Sequence, residues 1–424
     1  MLISSLFHFY QLRKNQWVEP DELLEIQRRK LLPMVRHAYE NVRYYRKLFD
    51  SAGVRPGDIK SAEDLTRIPI TSRSDLQRQP LDEITANGID STACKRITTS
   101  GSSGAPLTVL LRKQDSHYYD MVWARASLES GRRILDRVAN FKFHNPPRYW
   151  YRDLGIWRKQ IISLLDDPTK QIARLQQIRP DILSGSPFEL FTLAKFVIDN
   201  QIKDVRARLA LTRGSLLDAH ARTFIESAFH TKVFDQYGTT EVGCIAWECS
   251  ERKGYHANVD SLVLEVIREG RSAKPGEAGK IVCTSLHSFA MPFIRYDLGD
   301  IGTLSDEACP CGRRLPVLRS IDGRADDFFV NLDGALCSPS VIANQIKLIP
   351  GIAQFKIIQE SHREFTALLV PNAQYSEDTR ERVERTLSRI MGHDVHTTVQ
   401  TLEAIPADPS RKIRSLVSKV KRSI

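Results

Sequence analysis

Between Arg132 and Gln236 the chain alternates β-prone runs with helical ones, and this alternation limits the fold more than any other feature. Asp181–Gly185, Leu209–Arg213 and Lys232–Gln236 read as strands, and Arg132–Asn145 as a further strand region. Pro168–Arg179, Phe188–Asn200 and His220–Phe229 read as helices. Strands joined through helices return parallel to one another, because a parallel return needs a long crossover. The expected fold class is therefore α/β, with a parallel-rich sheet that binds ligands at its strands' carboxyl ends.

The flanks differ in texture. Pro20–Asp50 reads as one helix, with Leu23, Leu24, Ile26, Leu31, Leu32, Val35 and Ala38 at helical spacing. Ser61–Leu65 reads as a short capped helix, Thr71–Leu76 as another helix start, and Gln114–Ser130 as a long helix. Beyond residue 260 the chain turns β-rich: Ser261–Arg268, Gly279–Thr284 and Phe293–Leu304, with turns at Pro275-Gly276 and Asp297–Asp300. A smaller segment follows, with strands at Gln354–Gln359 and Glu364–Val370 and a helix at Asp378–Met391. A boundary near Gly323–Asp327 divides the 424 residues into 1–323, with a β-rich subdomain at about 245–320, and 324–424, a small α+β domain.

Charge narrows the classes of partner. The net charge is +10, but only Arg411–Arg422 is densely basic and no nucleic-acid motif accompanies it, so no nucleic-acid partner is expected. No run approaches the roughly 18–20 apolar residues of a membrane span. Met1–Tyr10 has no cleavage pattern, which makes the expected location cytoplasmic.

Four polar motifs punctuate this plan. The first, Thr98–Pro106, contains Thr99, Ser100, Gly101, Ser102, Ser103 and Gly104 between two β-prone runs, a hairpin whose hydroxyls and N–H groups suit polyphosphate oxygens. The second, Asp235–Glu241, follows a strand. It offers Tyr237 as a flat face for a base, Gly238, the hydroxyls of Thr239 and Thr240, and the Glu241 carboxylate for Mg²⁺. Taken alone, this stretch reads as a helix N-terminus with threonine capping. The third, Arg295–Asp300, offers Asp300 to ribose hydroxyls or is an ordinary turn; the fourth, Asp322–Asp327, offers Arg324 to phosphate or ribose or is a polar linker.

In this order and spacing the four motifs resemble the acyl-adenylate-forming superfamily. Tyr44-Tyr45-Arg46, Asp64-Leu65, Ile68–Thr71 and Arg179-Pro180-Asp181 are similar to its phenylacetate–CoA ligase-like branch. The resemblance implies a large N-terminal domain, a small mobile C-terminal domain rotating about Arg324–Asp326, and ATP, Mg²⁺ and CoA as reactants or cofactors. It also implies that Lys412, in Pro409–Arg414, bridges the substrate carboxylate and the nucleotide, and that Gly214 and Ser215 lie on the adenine side. Members of the branch carry a cysteine cluster. Here Cys249, His256, Cys309 and Cys311 would close a tetrahedral structural Zn²⁺ site, the other reading being unrelated thiols.

Departures keep the substrate open. Ala105 stands where many relatives have lysine, and Leu211–Ser215 where they often show Gly-Glu. Phe141–Leu165 does not match the aryl-ligase pocket and is closer to the capsule- and exopolysaccharide-associated subgroup; Phe141, His144 and Trp150 line the acid pocket or simply pack. The expected partners are a small carboxylic acid and CoA or another acyl acceptor, with a homodimer as a further expectation. Two other readings stand beside CoA ligation: adenylation with an amine, hydroxyl or carrier acceptor, and a non-catalytic ATP-binding homologue.

Overall fold

The computed structural model describes residues 2–98, 107–142, 156–324, 328–334, 336–337, 339–405 and 416–420. The alternating stretch forms a parallel ladder in the order Lys159–Ser163, Val138–Lys142, Ile182–Gly185, Leu209–Thr212, Lys232–Thr239. Helices Pro168–Ile178, Pro187–Asp199 and Ala219–Phe229 lie between its strands in sequence. Their starts are locally encoded. The Asp167, Ser186 and Asp218 side chains accept the N–H groups of Lys170, Glu189 and Ala221, satisfying donors that helix geometry leaves open. Their apolar stripes, including Leu175, Leu193 and Ile225, share a core with Ala139, Leu183, Ala210 and Val233 from the sheet.

Lys232–Thr239 belongs to two ladders. Residues 232–235 pair in parallel with Leu209–Thr212, whereas 236–239 pair antiparallel with Gly243–Glu248. The antiparallel half continues through Tyr255–Ala257, Val317–Arg324, Tyr296–Leu304, Ala278–Ser285 and Leu262–Arg268 to Arg271–Ser272. The change from parallel to antiparallel thus falls within one strand.

Several local expectations are corrected. Asp235–Glu241 does not open a helix: Thr240–Val242 is the turn of a β-hairpin into Gly243–Glu248. Asp297–Asp300 is not a connecting turn but lies inside Tyr296–Leu304, where the ladder to Ala278–Ser285 shifts register and Gly299 takes φ +73°. The helix over 20–50 breaks at Val42, which is extended between Pro20–Asn41 and Arg43–Ser51. The turn after Ser61 is a 3₁₀ helix, Glu63–Arg67, and its Asp64 carboxylate accepts the N–H groups of Lys60 and Ser61.

Helix Lys113–Glu129 is fastened to the antiparallel half by a fully buried bidentate pair, Arg125 with Asp260, at 2.8 Å for both bonds. Arg125 also donates to Asn258 Oδ1 and to the Leu12 carbonyl of the N-terminal helix Leu2–Asn15. Toward the C-terminus a small α+β domain has the strand order His396–Thr401, Glu364–Pro371, Ile352–Gln359, Leu416–Ser418. Helices Pro339–Lys347 and Glu377–Met391 pack there around Ile346, Ile357, Ala367 and Leu387. Among the described residues, no helix is long and apolar enough to cross a membrane.

Candidate active site

Lys232–Thr239 carries its polar residues past the end of the parallel ladder. Tyr237, Gly238, Thr239 and Thr240 are half-buried there, and Glu241 is buried in the turn. Gly238 is required by its surroundings: a Cβ would lie 2.3 Å from the Gly243 carbonyl oxygen and 2.9 Å from the Trp123 ring. The turn is closed by Val242 N–H donating to Thr239 Oγ1.

The second and third motifs meet twice. The Tyr237 hydroxyl donates to Asp300 Oδ2 at 2.6 Å, and the Tyr296 hydroxyl donates to Glu241 Oε1 at 3.1 Å. The fourth joins them through the ladder, where Asp300 is the register partner of Arg324. Gly214 and Ser215 are exposed just beyond Leu209–Thr212, and the neighbouring Leu216 approaches Gly323. The first motif's stems pair as expected, Lys95–Thr98 antiparallel to Thr108–Leu111. Its tip, Thr99–Gly104, lies outside the described residues, as do Lys412, His144 and Trp150. Phe141 packs in the core of the parallel half.

Residues outside the motifs complete the surroundings. Thr71 bridges to the third motif, receiving Asp297 N–H and donating its own N–H to the Arg295 carbonyl, both at 2.9 Å. Arg295 sits at φ +44° and is held by Glu265 and the Ile68 carbonyl. From the short helix Arg73–Gln77, Arg73 reaches to 3.9 Å from Glu241 Oε1. Tyr119 donates to the Glu241 backbone carbonyl, and burial drives the Tyr119 hydroxyl up to about 12. Below Tyr237, Asp235 is buried against the Thr212 and Tyr255 hydroxyls, which donate to it at 2.7 and 3.2 Å. Burial raises the Asp235 carboxyl to about 7, with the Glu248 charge adding to the rise. No local pattern marked Arg73, Tyr119 or Tyr255, which are recruited by tertiary packing.

A separate cluster lies in the antiparallel half. Ligand atoms of Cys249, His256, Cys309 and Cys311 all fall within 4.8 Å of one another. Cys249 and Cys309 sulfurs are 3.6 Å apart, and Cys311 Sγ is 3.3 Å from His256 Nε2. Tetrahedral zinc with Zn–S near 2.3 Å and Zn–N near 2.0 Å puts sulfurs about 3.8 Å apart and sulfur to nitrogen about 3.5 Å. The donor set and spacing therefore suit zinc. Burial pushes the Cys249 thiol up to about 12, whereas at Cys311 hydrogen bonds from Arg313 and the neighbouring thiols outweigh burial and lower it. Arg313 pairs with Glu129 and stacks over Trp17 and Trp247, tying the cysteine turn to the N-terminal helices.

The chain is similar in sequence to known coenzyme A ligases. A phenylacetate–coenzyme A ligase of Thermus thermophilus is 28% identical over 348 residues, covering 78% of this chain and 77% of that protein. One from Aromatoleum evansii is 27% identical over 425 residues, covering 95% and 94%. The structure of 2-hydroxyisobutyryl-CoA ligase in the postadenylation state, in complex with R3-HIB-AMP, superposes with a TM-score of 0.81 at 19% identity, covering 96% of this chain and 92% of that one. Residues 329–419 match the family described as the CapK C-terminal domain. The fold is that of the 2-hydroxyisobutyryl-CoA ligase structure. The chain is thus similar over most of its length to phenylacetate–coenzyme A ligases, and in its C-terminal part to the CapK family.

Proposed function

We propose that this protein is an ATP-dependent, AMP-forming ligase that converts a carboxylic acid to its acyl-adenylate and passes the acyl group to CoA. The observation carrying this is the double contact Tyr237–Asp300 and Tyr296–Glu241, which joins two separate motifs at the carboxyl edge of the parallel strands. A carboxylate oxygen attacks the α-phosphorus of ATP, the bond to pyrophosphate breaks, and acyl-AMP remains. The CoA sulfur then attacks the acyl carbon, losing its proton, and AMP leaves. Catalysis of the first step is chiefly positioning and charge stabilisation.

In this reading Tyr237 faces the adenine, Asp300 and Arg324 hold the ribose and phosphates, and Gly214 and Ser215 border the adenine. The loop Thr99–Gly104 and Thr239 cradle the phosphates, Thr240 orients them, and Lys412 bridges carboxylate and nucleotide. Glu241 would hold Mg²⁺, which neutralises phosphate charge when bound. Cys249, His256, Cys309 and Cys311 would hold Zn²⁺ as a structural clamp with no open position. The unit 324–424 acts as a lid that rotates between the half-reactions, and the enzyme works in the cytoplasm.

The test is pyrophosphate and AMP release by the full chain, with ATP, Mg²⁺ and a panel of acids, with and without CoA. Pyrophosphate release without CoA, followed by AMP turnover on adding it, is the expected result. AMP turnover only with an amine, hydroxyl or carrier would move the acceptor, and no nucleotide binding would end the enzymatic reading.

A further inference from the structure

Alternation along Leu209–Thr212 sets up two rows. Leu209 and Leu211 join Val138, Ile182 and Phe234 on one face, while Ala210 joins the core on the other. Period two sends the next position of the first row to residue 213, and that residue is arginine. Its backbone N–H donates to the Gly185 carbonyl, so it continues the ladder at the carboxyl end of the parallel strands. The guanidinium lies 5.1 Å from the centroid of the Trp123 ring, and the same ring fills the space beside Gly238. Arg213 therefore stands beside the stretch that carries Tyr237 and Glu241.

Several other arginines of this body have carboxylates: Arg208 pairs with Asp136, Arg222 with Glu248, Arg295 with Glu265 and Arg313 with Glu129. Among the described residues, Arg213 has no ion pair, and its guanidinium faces the Trp123 ring. Burial pushes its pKa below the usual guanidinium range, opposed only by the Cys244 thiol. A half-buried cation without an anion is costly, and a planar guanidinium backed by an aromatic ring is well suited to gripping an oxyanion.

We propose that Arg213 binds a second anionic group of the acid substrate, so that the ligase selects acids carrying a further carboxylate or equivalent oxyanion. This deepens the adenylating reading above and rests on it. Arg213 is then the specificity determinant, reading the end of the acid that does not react, while Tyr237, Glu241 and Asp300 handle the nucleotide.

The experiment is ATP–pyrophosphate exchange by the full chain on acids matched in chain length, such as butyrate against succinate and valerate against glutarate. The wild type should favour the dicarboxylate, and Arg213→Met should raise its KM on the order of 100-fold, as loss of a buried charge partner does. Monocarboxylate turnover and ATP affinity should stay unchanged, and Arg213→Lys should recover part of the preference. An Arg213→Met variant with weakened ATP binding and unchanged acid preference would overturn the inference, placing the arginine on the nucleotide. Exchange by the wild type with monocarboxylates alone removes the inference and leaves the adenylating reading intact. No exchange with any acid removes both.

Discussion

Gly238→Ala is a narrow probe of the site, because its effect can be worked from distances. The added Cβ would begin 2.3 Å from the Gly243 carbonyl oxygen and 2.9 Å from Trp123. Ordinary van der Waals contact begins near 3.4 Å, so the two arms of the hairpin must separate by roughly 1 Å. Forced overpacking of this kind costs about 1–3 kcal/mol. With an unfolding entropy of about 2.1 cal/mol/K per residue over a body of about 320 residues, that lowers Tm by only about 2–4 °C. The hairpin turn carries Thr240 and Glu241, however, and a misplacement of about 1 Å at reacting groups costs on the order of 100-fold in rate. Pyrophosphate exchange should therefore drop about 100-fold while the melting curve moves slightly. Gly57→Ala is the control: its Cβ would meet nothing within 4 Å, and it should leave exchange untouched. Wild-type exchange in Gly238→Ala would refute the reasoning, and so would a melting loss above about 10 °C, which would mean that the sheet fails rather than the turn.

Cys311→Ser should release the zinc proposed for this cluster and lower Tm while changing adenylation per folded molecule less than about twofold; metal analysis beside calorimetry checks this, and a metal-free protein of full stability would contradict the clamp. Asp235 gives a pH signature. Its folded pKa, raised to about 7 chiefly by burial, exceeds the unfolded value of about 3.9, so its stabilising contribution is complete below about 3.9 and is lost as pH rises to about 7. Asp235→Asn should flatten that part of the Tm–pH profile and melt higher than the wild type at pH 8, whereas parallel profiles would assign the slope to other groups.

Legibility followed the range of the forces involved. Most of the parallel ladder was readable because the crossover helices carry their own start signals, as Ser186-Pro187 with Glu189 does, and their strands short apolar runs; the edge strand Lys159–Ser163, with only two apolar residues in five, was missed. The strand Gly243–Glu248 was missed because it is buried along its whole length and shows no alternation. Thr239–Glu241 was open to a helical reading because a threonine before an acidic residue caps helices and closes turns alike; the antiparallel pairing of Gly238 with Cys244 decides it. The motif residues Tyr237, Glu241 and Asp300 were legible as types, and their mutual contacts were not, since hydrogen bonds across 55–63 positions leave no local trace. Arg213 did leave one, an arginine ending a row of leucines. It stood in the sequence only within Leu211–Ser215, as part of a departure from relatives.

The strand Lys232–Thr239 serves two ladders of one sheet, and this divides responsibilities in a way that matters for diversification. Arg213 extends from the parallel wing, whereas Asp300, Tyr296 and Arg324 belong to the antiparallel wing, and the two ladders join at this crease. If Arg213 reads the acid as proposed, drift confined to the parallel wing would retune which acid is accepted while Asp300 and Tyr296 stay as they are. An enzyme built this way changes its diet by exchanging one wall of the cleft, with the motor left in place.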